Sequence, residues 1–313
     1  MTNLATPFTT HRRKLFGLAL RMTGSFADAE DVVQEAFLRH LARPPSGDGD
    51  IEPWLVTVTL NVARDSLRRR RRERYRGPWL PSPVDPAVIQ PEPVSPDDAS
   101  TEARYSMLES VSFAFLLALE ALTPMQRAVL LMRDVLDSSA KETALALGTS
   151  EGAVKAQLFR ARKKLETYER SKAHRFEASD DDGRATLVRF LAALRAEDVE
   201  GMCALLAADA TALSDGGGVF HAAVIPVRGS VRICSFLMEI QRVAPPLISA
   251  RLCTLGGLPF VVAEQDSTSP HVARNFAFGC CLDPSGKILT LYSVLAPRKL
   301  AGLDLATSGL SSP

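Results

Sequence analysis

Residues 77–100, GPWLPSPVDPAVIQPEPVSPDDAS, hold seven prolines and neither lysine nor arginine. Each proline lacks a backbone N–H and fixes φ near about −65°, so no helix can run through this stretch. It is read as an extended, solvated connector between separate domains. A length of 313 residues agrees with that division, because single cores stop growing near about 250–300 residues.

Before the connector the chain reads as helices. An apolar period opens it (Leu15, Leu18, Ala19, Met22), FADAEDVVQEAFLRHL follows, and a third helix is expected from Pro53 towards Arg76. After it, residues 103–168 are helical again. Pro124 directly behind Thr123 marks a helix start, and Gly148 between two short amphipathic stretches marks the turn of a helix-turn-helix. The acidic DDDG at residues 180–183 reads as a hinge. Beyond it come helices over GRATLVRFLAALRAED, VEGMCALLAAD and GSVRICSFLMEIQRVA, a strand at ATALSD, and strands at residues 247–255, 259–264, 271–282 and 287–295. DPSG is the turn between the last two. Helices first and a meandering antiparallel sheet after make an α+β domain. The expected divisions are a helical domain at 1–76, a proline-rich linker at 77–102, a helix-turn-helix domain at 103–175, an α+β domain at 183–300 and a tail at 301–313.

The net charge of +1 conceals an uneven distribution. Residues 1–176 carry 26 basic against 22 acidic side chains, and residues 177–313 carry 11 against 14. Clustering matters more than the totals, since a basic patch is what attracts phosphate. Arg64, Arg68, Arg69, Arg70, Arg71, Arg72, Arg74 and Arg76 crowd one helix, opposed only by Asp65 and Glu73. Such a rod repels itself unless phosphates neutralise it, and duplex DNA presents about one charge per 1.7 Å. Asn61 and Asp65, one helical turn apart, stand where side chains could touch base edges, whereas Trp54 is assigned to the core.

In the second basic segment Val154, Leu158, Ala161 and Leu165 form a buried stripe. The opposite face carries Gly152, Ala156, Phe159, Arg160 and Lys163, flanked by Lys155, Gln157, Arg162 and Lys164. Small residues near the helix start let the backbone approach a groove, with cations where phosphates would lie. On the helix through DAEDVVQEAFLR, Asp28, Asp31 and Glu35 share a face while Val32, Val33, Ala36 and Phe37 point inward. The residues alone leave two readings of these acids: complements of the helix dipole with a Glu35–Arg39 pair, or a docking face.

DAEDVVQEAFLR (28–39), WLVTVTLNVARDSLRR (54–69), TPMQRAVLLMRD (123–134) and GTSEGAVKAQLFRARKKL (148–165) resemble, in the right order, regions 2.2, 2.3 to 2.4, 4.1 and 4.2 of extracytoplasmic-function sigma factors. The resemblance covers about the first 170 residues. It implies two all-α domains, sigma region 2 and the region 4 helix-turn-helix. It further implies that Asp28, Asp31, Gln34 and Glu35 dock on the β′ clamp helices of core RNA polymerase, the β flap being a second polymerase contact. Asn61, Arg64, Asp65, Arg68 and Arg69 would read and help melt the minus-10 element. Ser150, Lys155, Gln157, Arg160, Arg162 and Lys164 would read the minus-35 element. One departure bears on specificity: the family commonly has Ser-Arg where this chain has Ala156-Gln157, and glutamine pairs best with adenine whereas arginine prefers guanine. The competing reading is a ligand-sensing helix-turn-helix regulator acting without core polymerase.

WLPSP (79–83), DGGG (215–218) and APRKL (296–300) resemble the WLPEP, DGGGK and NPDKL signatures of those sigma factors that carry a SnoaL-like domain, an NTF2-like cone of helices and curved sheet. Ser82, Val219, Ala296 and Arg298 depart from those patterns. Trp79, Leu80, Pro81, Asp215, Gly216, Gly217, Gly218, Pro297, Lys299 and Leu300 are the expected regulatory contacts. Gly216–Gly218 are expected to supply a positive-φ turn. Relatives of the cone include enzymes using Asp or His, and the candidates here are His221, Asp215 and His271. No spacing pairs them, so a regulatory module without catalysis is expected, with a small-molecule pocket as an open alternative. No cofactor and no metal is expected. Cys203, Cys234, Cys253, Cys280 and Cys281 show no CxxC spacing and read as buried small apolar residues. No run approaches the roughly 20 apolar residues of a membrane span, and MTNLATPFTTHRRK lacks a secretory core, so a cytoplasmic protein is expected.

Overall fold

Helix α1 (Ala5–Thr23) ends at Gly24, and α2 (Phe26–Ala42) starts one residue later because Ser25 caps it, its hydroxyl accepting from the Asp28 amide. Together with α3 (Glu52–Arg72) they pack pairwise around Leu15, Leu18, Met22, Val33, Leu55 and Leu60. The computed structural model describes residues 5–44, 50–72, 75–85, 112–170 and 180–303. The expected linker beyond residue 85, Arg74 and the tail beyond residue 303 lie outside the described residues. These fall into two compact units, one of residues 5–44, 50–72 and 112–170, the other of residues 75–85 and 180–303.

The rest of the first unit is built from short, strongly punctuated helices. Ser112 caps α4 (Phe113–Leu119). Thr123 and Gln126 form a capping box at the start of α5 (Pro124–Leu130), with Pro124 in the first turn, where its missing N–H costs nothing. A π turn (Leu131–Val135) then leads to α6 (Ala140–Leu147), opened by the Ser139/Glu142 capping box and closed by Gly148 at φ 62°. Helix α7 (Glu151–Arg170) follows after Ser150, whose hydroxyl accepts from the Ala153 amide. Leu116, Leu119, Leu122, Leu130 and Ala161 form the core between α4, α5 and α7.

One carboxylate ties the helices of this unit together. Glu120 accepts from Arg127 and from Arg70, each at 2.6 Å. The same guanidiniums reach the end of α1, Arg127 donating to the Met22 carbonyl at 2.6 Å and Arg70 to the Thr23 carbonyl at 2.9 Å. The last carbonyls of a helix lack partners within it and sit at the negative end of its dipole. Two cations from α3 and α5 therefore satisfy α1, and Arg127 is only 2% exposed.

The second unit begins with α8 (Asp180–Arg195), α9 (Val199–Leu205) and β1 (Leu206–Asp215), followed by β2 (Val227–Arg228) and α10 (Ser230–Val243). Strands β3 (Leu247–Leu255), β4 (Leu258–Gln265), β5 (Asn275–Leu282) and β6 (Ile288–Val294) complete a sheet ordered β2-β1-β6-β5-β4-β3. Phe190, Met202, Ile233, Leu237 and Met238 of the helices pack on Ala210, Phe278, Cys280 and Leu291 of the sheet. The α+β class holds, with three corrections. The DDDG segment is no hinge but the first turn of α8, where acids complement the helix dipole. The sheet is mixed rather than a pure meander, because β1 runs parallel to β6. The supposedly solvated connector is buried over residues 80–84: Leu80 and Ser82 are fully enclosed, and the Val84 carbonyl accepts from the Gly256 amide at 2.8 Å. Prolines leave few amides to satisfy, so an extended proline-rich segment can lie against a domain at small polar cost.

Candidate nucleic-acid interface

The acidic face of α2 divides in two. Asp31 and Gln34 are exposed, Asp28 is half-buried near the helix start, and Glu35 holds Arg39 one turn on at 2.8 Å. Such an exposed i, i+4 pair contributes about 0.3–0.5 kcal/mol.

The arginine rod of α3 is not uniformly available. Arg68 and Arg69 are exposed, Arg68 within 3.1 Å of Asp65. Arg64 is buried and donates to Asn61 at 2.9 Å, while its Nε finds no partner among the described residues. Burial first, and the neighbouring Arg68 second, pull its guanidinium below the ordinary value. Arg70 is committed to Glu120 and the end of α1. Nothing in its sequence position separates Arg70 from Arg68 or Arg69; only the fold does.

On α7 the buried stripe is Val154 and Ala161, with Leu158 and Leu165 half-buried. Lys155, Phe159, Arg160 and Lys163 are exposed, and Gln157 is half-buried. Arg162 makes a bidentate pair with Asp134 at 3.0 and 2.6 Å, which raises its pKa through that hydrogen bond first and the opposite charge second. Lys164 turns back to Gln126 at 3.3 Å. Of the predicted set, Lys155 and Arg160 are exposed with no such tie among the described residues, and Ser150 serves as the helix cap.

In the second unit the three signature segments meet at Asp215. Its Oδ2 accepts the Leu80 amide at 2.7 Å and the Lys299 ammonium, and its Oδ1 accepts the Tyr75 hydroxyl and the Gly217 amide at 2.9 Å. Its backbone carbonyl accepts the Leu295 and Ala296 amides, which bring in α11 (Pro297–Leu300). Lys299 also donates to the Tyr75 hydroxyl at 3.3 Å and lies 4.1 Å from the centre of the Trp79 ring. Asp215 and Lys299 are 1% and 4% exposed, so the pair is shielded from water and held by aromatic walls. Leu80, Pro81 and Leu300 are buried around it.

The glycines have separate reasons. Gly217 and Gly218 have φ of 66° and 75°, as expected for the turn. Gly216 has no such φ; a Cβ there would lie 2.3 Å from the Phe220 carbonyl oxygen. Tyr75 escaped the sequence reading, although an aromatic residue next to the proline-rich stretch was its available signal. His221 and His271, the other catalytic candidates, stack with ring centres 5.2 Å apart. Asp215 is occupied by the donors named above.

No helix among the described residues is long and apolar enough to cross a membrane. Residues 8–73 match the family model described as Sigma-70 region 2, and residues 112–165 match Sigma-70, region 4. Over 304 residues the chain is 33% identical to the ECF RNA polymerase sigma factor SigJ of Mycobacterium tuberculosis, spanning 95% of this chain and 93% of that protein. It is 39% identical over 215 residues to the ECF RNA polymerase sigma factor SigG of the same species, spanning 64% of this chain and 58% of that protein. The crystal structure of Mycobacterium tuberculosis SigJ superposes with a TM-score of 0.65 at 28% identity, over 96% of this chain and 100% of that one.

Proposed function

The chain belongs to the extracytoplasmic-function sigma factors of RNA polymerase, and from that premise we propose how its residues divide the work of promoter selection. In the cytoplasm it directs core polymerase to promoters through region 2 (1–76) and region 4 (103–175), and the appended domain (183–300) modulates that activity without a catalytic acid or base of its own. The observation that supports this reading best is α7, a helix placed after a left-handed glycine turn, with Lys155, Arg160 and Lys163 exposed. Lys155, Gln157 and Arg160 contact the minus-35 element, while Arg162 and Lys164 set the pose of the helix. Asn61, Asp65, Arg68 and Arg69 serve the minus-10 element, Arg64 acting through Asn61. Asp28, Asp31, Gln34 and Glu35 dock on the β′ clamp helices.

Run-off transcription with core polymerase tests the reading. Asp31→Lys combined with Glu35→Lys is expected to weaken core binding at least about tenfold, about 1.4 kcal/mol, by placing like charges across a docking face. Unchanged holoenzyme assembly would refute the docking role. Promoter binding without polymerase would favour the ligand-sensing regulator instead. For DNA, Arg68→Ala and Arg69→Ala are each expected to flatten the salt dependence of holoenzyme–promoter binding by about 0.7–0.9 in log–log slope, the mark of one lost phosphate contact. A slope that stays the same assigns these arginines elsewhere.

The appended domain is read as regulatory because its only candidate acid among the three catalytic candidates is sequestered. Asp215 is buried against Lys299, Tyr75 and the Leu80 amide, which suits an anchor for the connector better than an acid or base facing substrate.

A further inference from the structure

Five cysteines lie in the second unit, and two of them meet. Cys203 on α9 and Cys234 on α10 are 31 positions apart in sequence, yet their sulfurs stand 3.2 Å from each other as free thiols. Cys234 is fully buried and Cys203 is half-buried, the more accessible of the two. A disulfide bond is about 2.05 Å long, so closing one here asks the sulfurs to approach by only about 1 Å. The other cysteines have different neighbours. Cys253 faces the Phe260 carbonyl and Cys281 the Tyr292 hydroxyl, each at 3.6 Å. Cys280 and Cys281 are consecutive on β5 and point to opposite faces.

We infer that Cys203 and Cys234 form a reversible oxidation site that reduces peroxides and closes into a disulfide pinning α9 to α10. The more accessible Cys203, as its thiolate, attacks one peroxide oxygen, the O–O bond breaks, and hydroxide leaves with the electron pair, giving a sulfenic acid. The Cys234 sulfur then attacks the Cys203 sulfur, the S–O bond breaks, and water leaves with the Cys234 proton. In sum two thiols and one hydrogen peroxide yield one disulfide and two waters. Each sulfur loses one electron and each peroxide oxygen gains one. A dithiol reductant reverses the step by exchange. The order of events follows the environments: burial first, and the hydrogen bond to Cys203 second, push the Cys234 thiol up to about 12, so it keeps its proton until its neighbour is oxidised.

Trypsin separates the two residues, because Arg195, Arg228, Arg232 and Arg242 place Cys203 and Cys234 in different peptides with one cysteine each. The full-length reduced chain is treated with stoichiometric hydrogen peroxide, blocked with an alkylating reagent, digested without reductant and weighed. The expected result is a single cross-linked pair of these peptides, lighter than the two thiol peptides by about 2 Da and released by dithiothreitol. Cys203→Ser removes the link and leaves Cys234 alkylatable, while Cys253→Ser leaves the link intact. The oxidised chain is expected to unfold at a higher temperature than the reduced one, because the cross-link constrains the unfolded state. If the variants fail to fold, the wild-type peptide map alone decides. Cys203 recovered as sulfinic acid without a link, both thiols recovered intact, or links between other cysteines would overturn the assignment.

Discussion

Replacing Asp215 with alanine lowers the stability of the C-terminal unit by about 3–5 kcal/mol, the cost of leaving a buried charge without its partner. Lys299 would keep a full positive charge at 4% exposure. The Leu80 amide would lose its acceptor, and the Tyr75 hydroxyl its carboxylate. Urea unfolding followed by tryptophan fluorescence reads the effect, since Trp79 stacks on Lys299 at the same anchor. Faster tryptic cleavage at the exposed Arg76 reports release of the connector. Lys299→Met in the same chain should recover part of the loss by removing the stranded charge, and the double-mutant cycle isolates the pair. A loss below about 1 kcal/mol would show that the pair is a bystander to packing.

Replacing Arg127 with methionine should destabilise the helical unit by about 2–4 kcal/mol, since two buried carbonyls and a half-buried carboxylate lose charge-assisted donors at once. Those acceptors are the Met22 carbonyl, the Leu119 carbonyl and Glu120. Lysine should not rescue it. Its ammonium is a compact point charge on a flexible stem, whereas the guanidinium fork spans acceptors on separate helices. Chemical denaturation of the full chain, with the helical transition followed by far-ultraviolet circular dichroism, checks both variants. Equal midpoints for Arg127→Lys and the unmodified chain would remove the geometric argument.

Much of the fold was legible locally. Thr123, Pro124 and Gln126 announce a helix start whatever surrounds them, and the capping box is there. Gly148 adopts the left-handed turn that its place between two amphipathic stretches required. The DPSG turn closes through the Asp283 carboxylate, which accepts the Ser285 and Lys287 amides at 2.9 and 3.0 Å. The parallel pairing of β1 with β6 was not legible, because its partners, such as Leu213 and Tyr292, are joined by no local rule. For the candidate interface, the sequence offered the cations of α3 and α7 without any means of ranking them. Arg64, Arg70, Arg162 and Lys164 each found a protein partner on folding.

The amino-acid sequence alone determined the helix start at Thr123–Pro124 and the turn at Gly148, where the chain must be extended, which family signatures occur and where positive charge accumulates. Those properties depend on backbone sterics, missing amides and side-chain charge within a few residues. The tertiary structure alone decided that residues 80–84 are buried, that Asp215 gathers Tyr75, Leu80 and Lys299, and that two cysteines 31 positions apart share one contact. Each of those outcomes arises when burial removes water as the competing partner, and only long-range packing determines which groups are then left to satisfy one another.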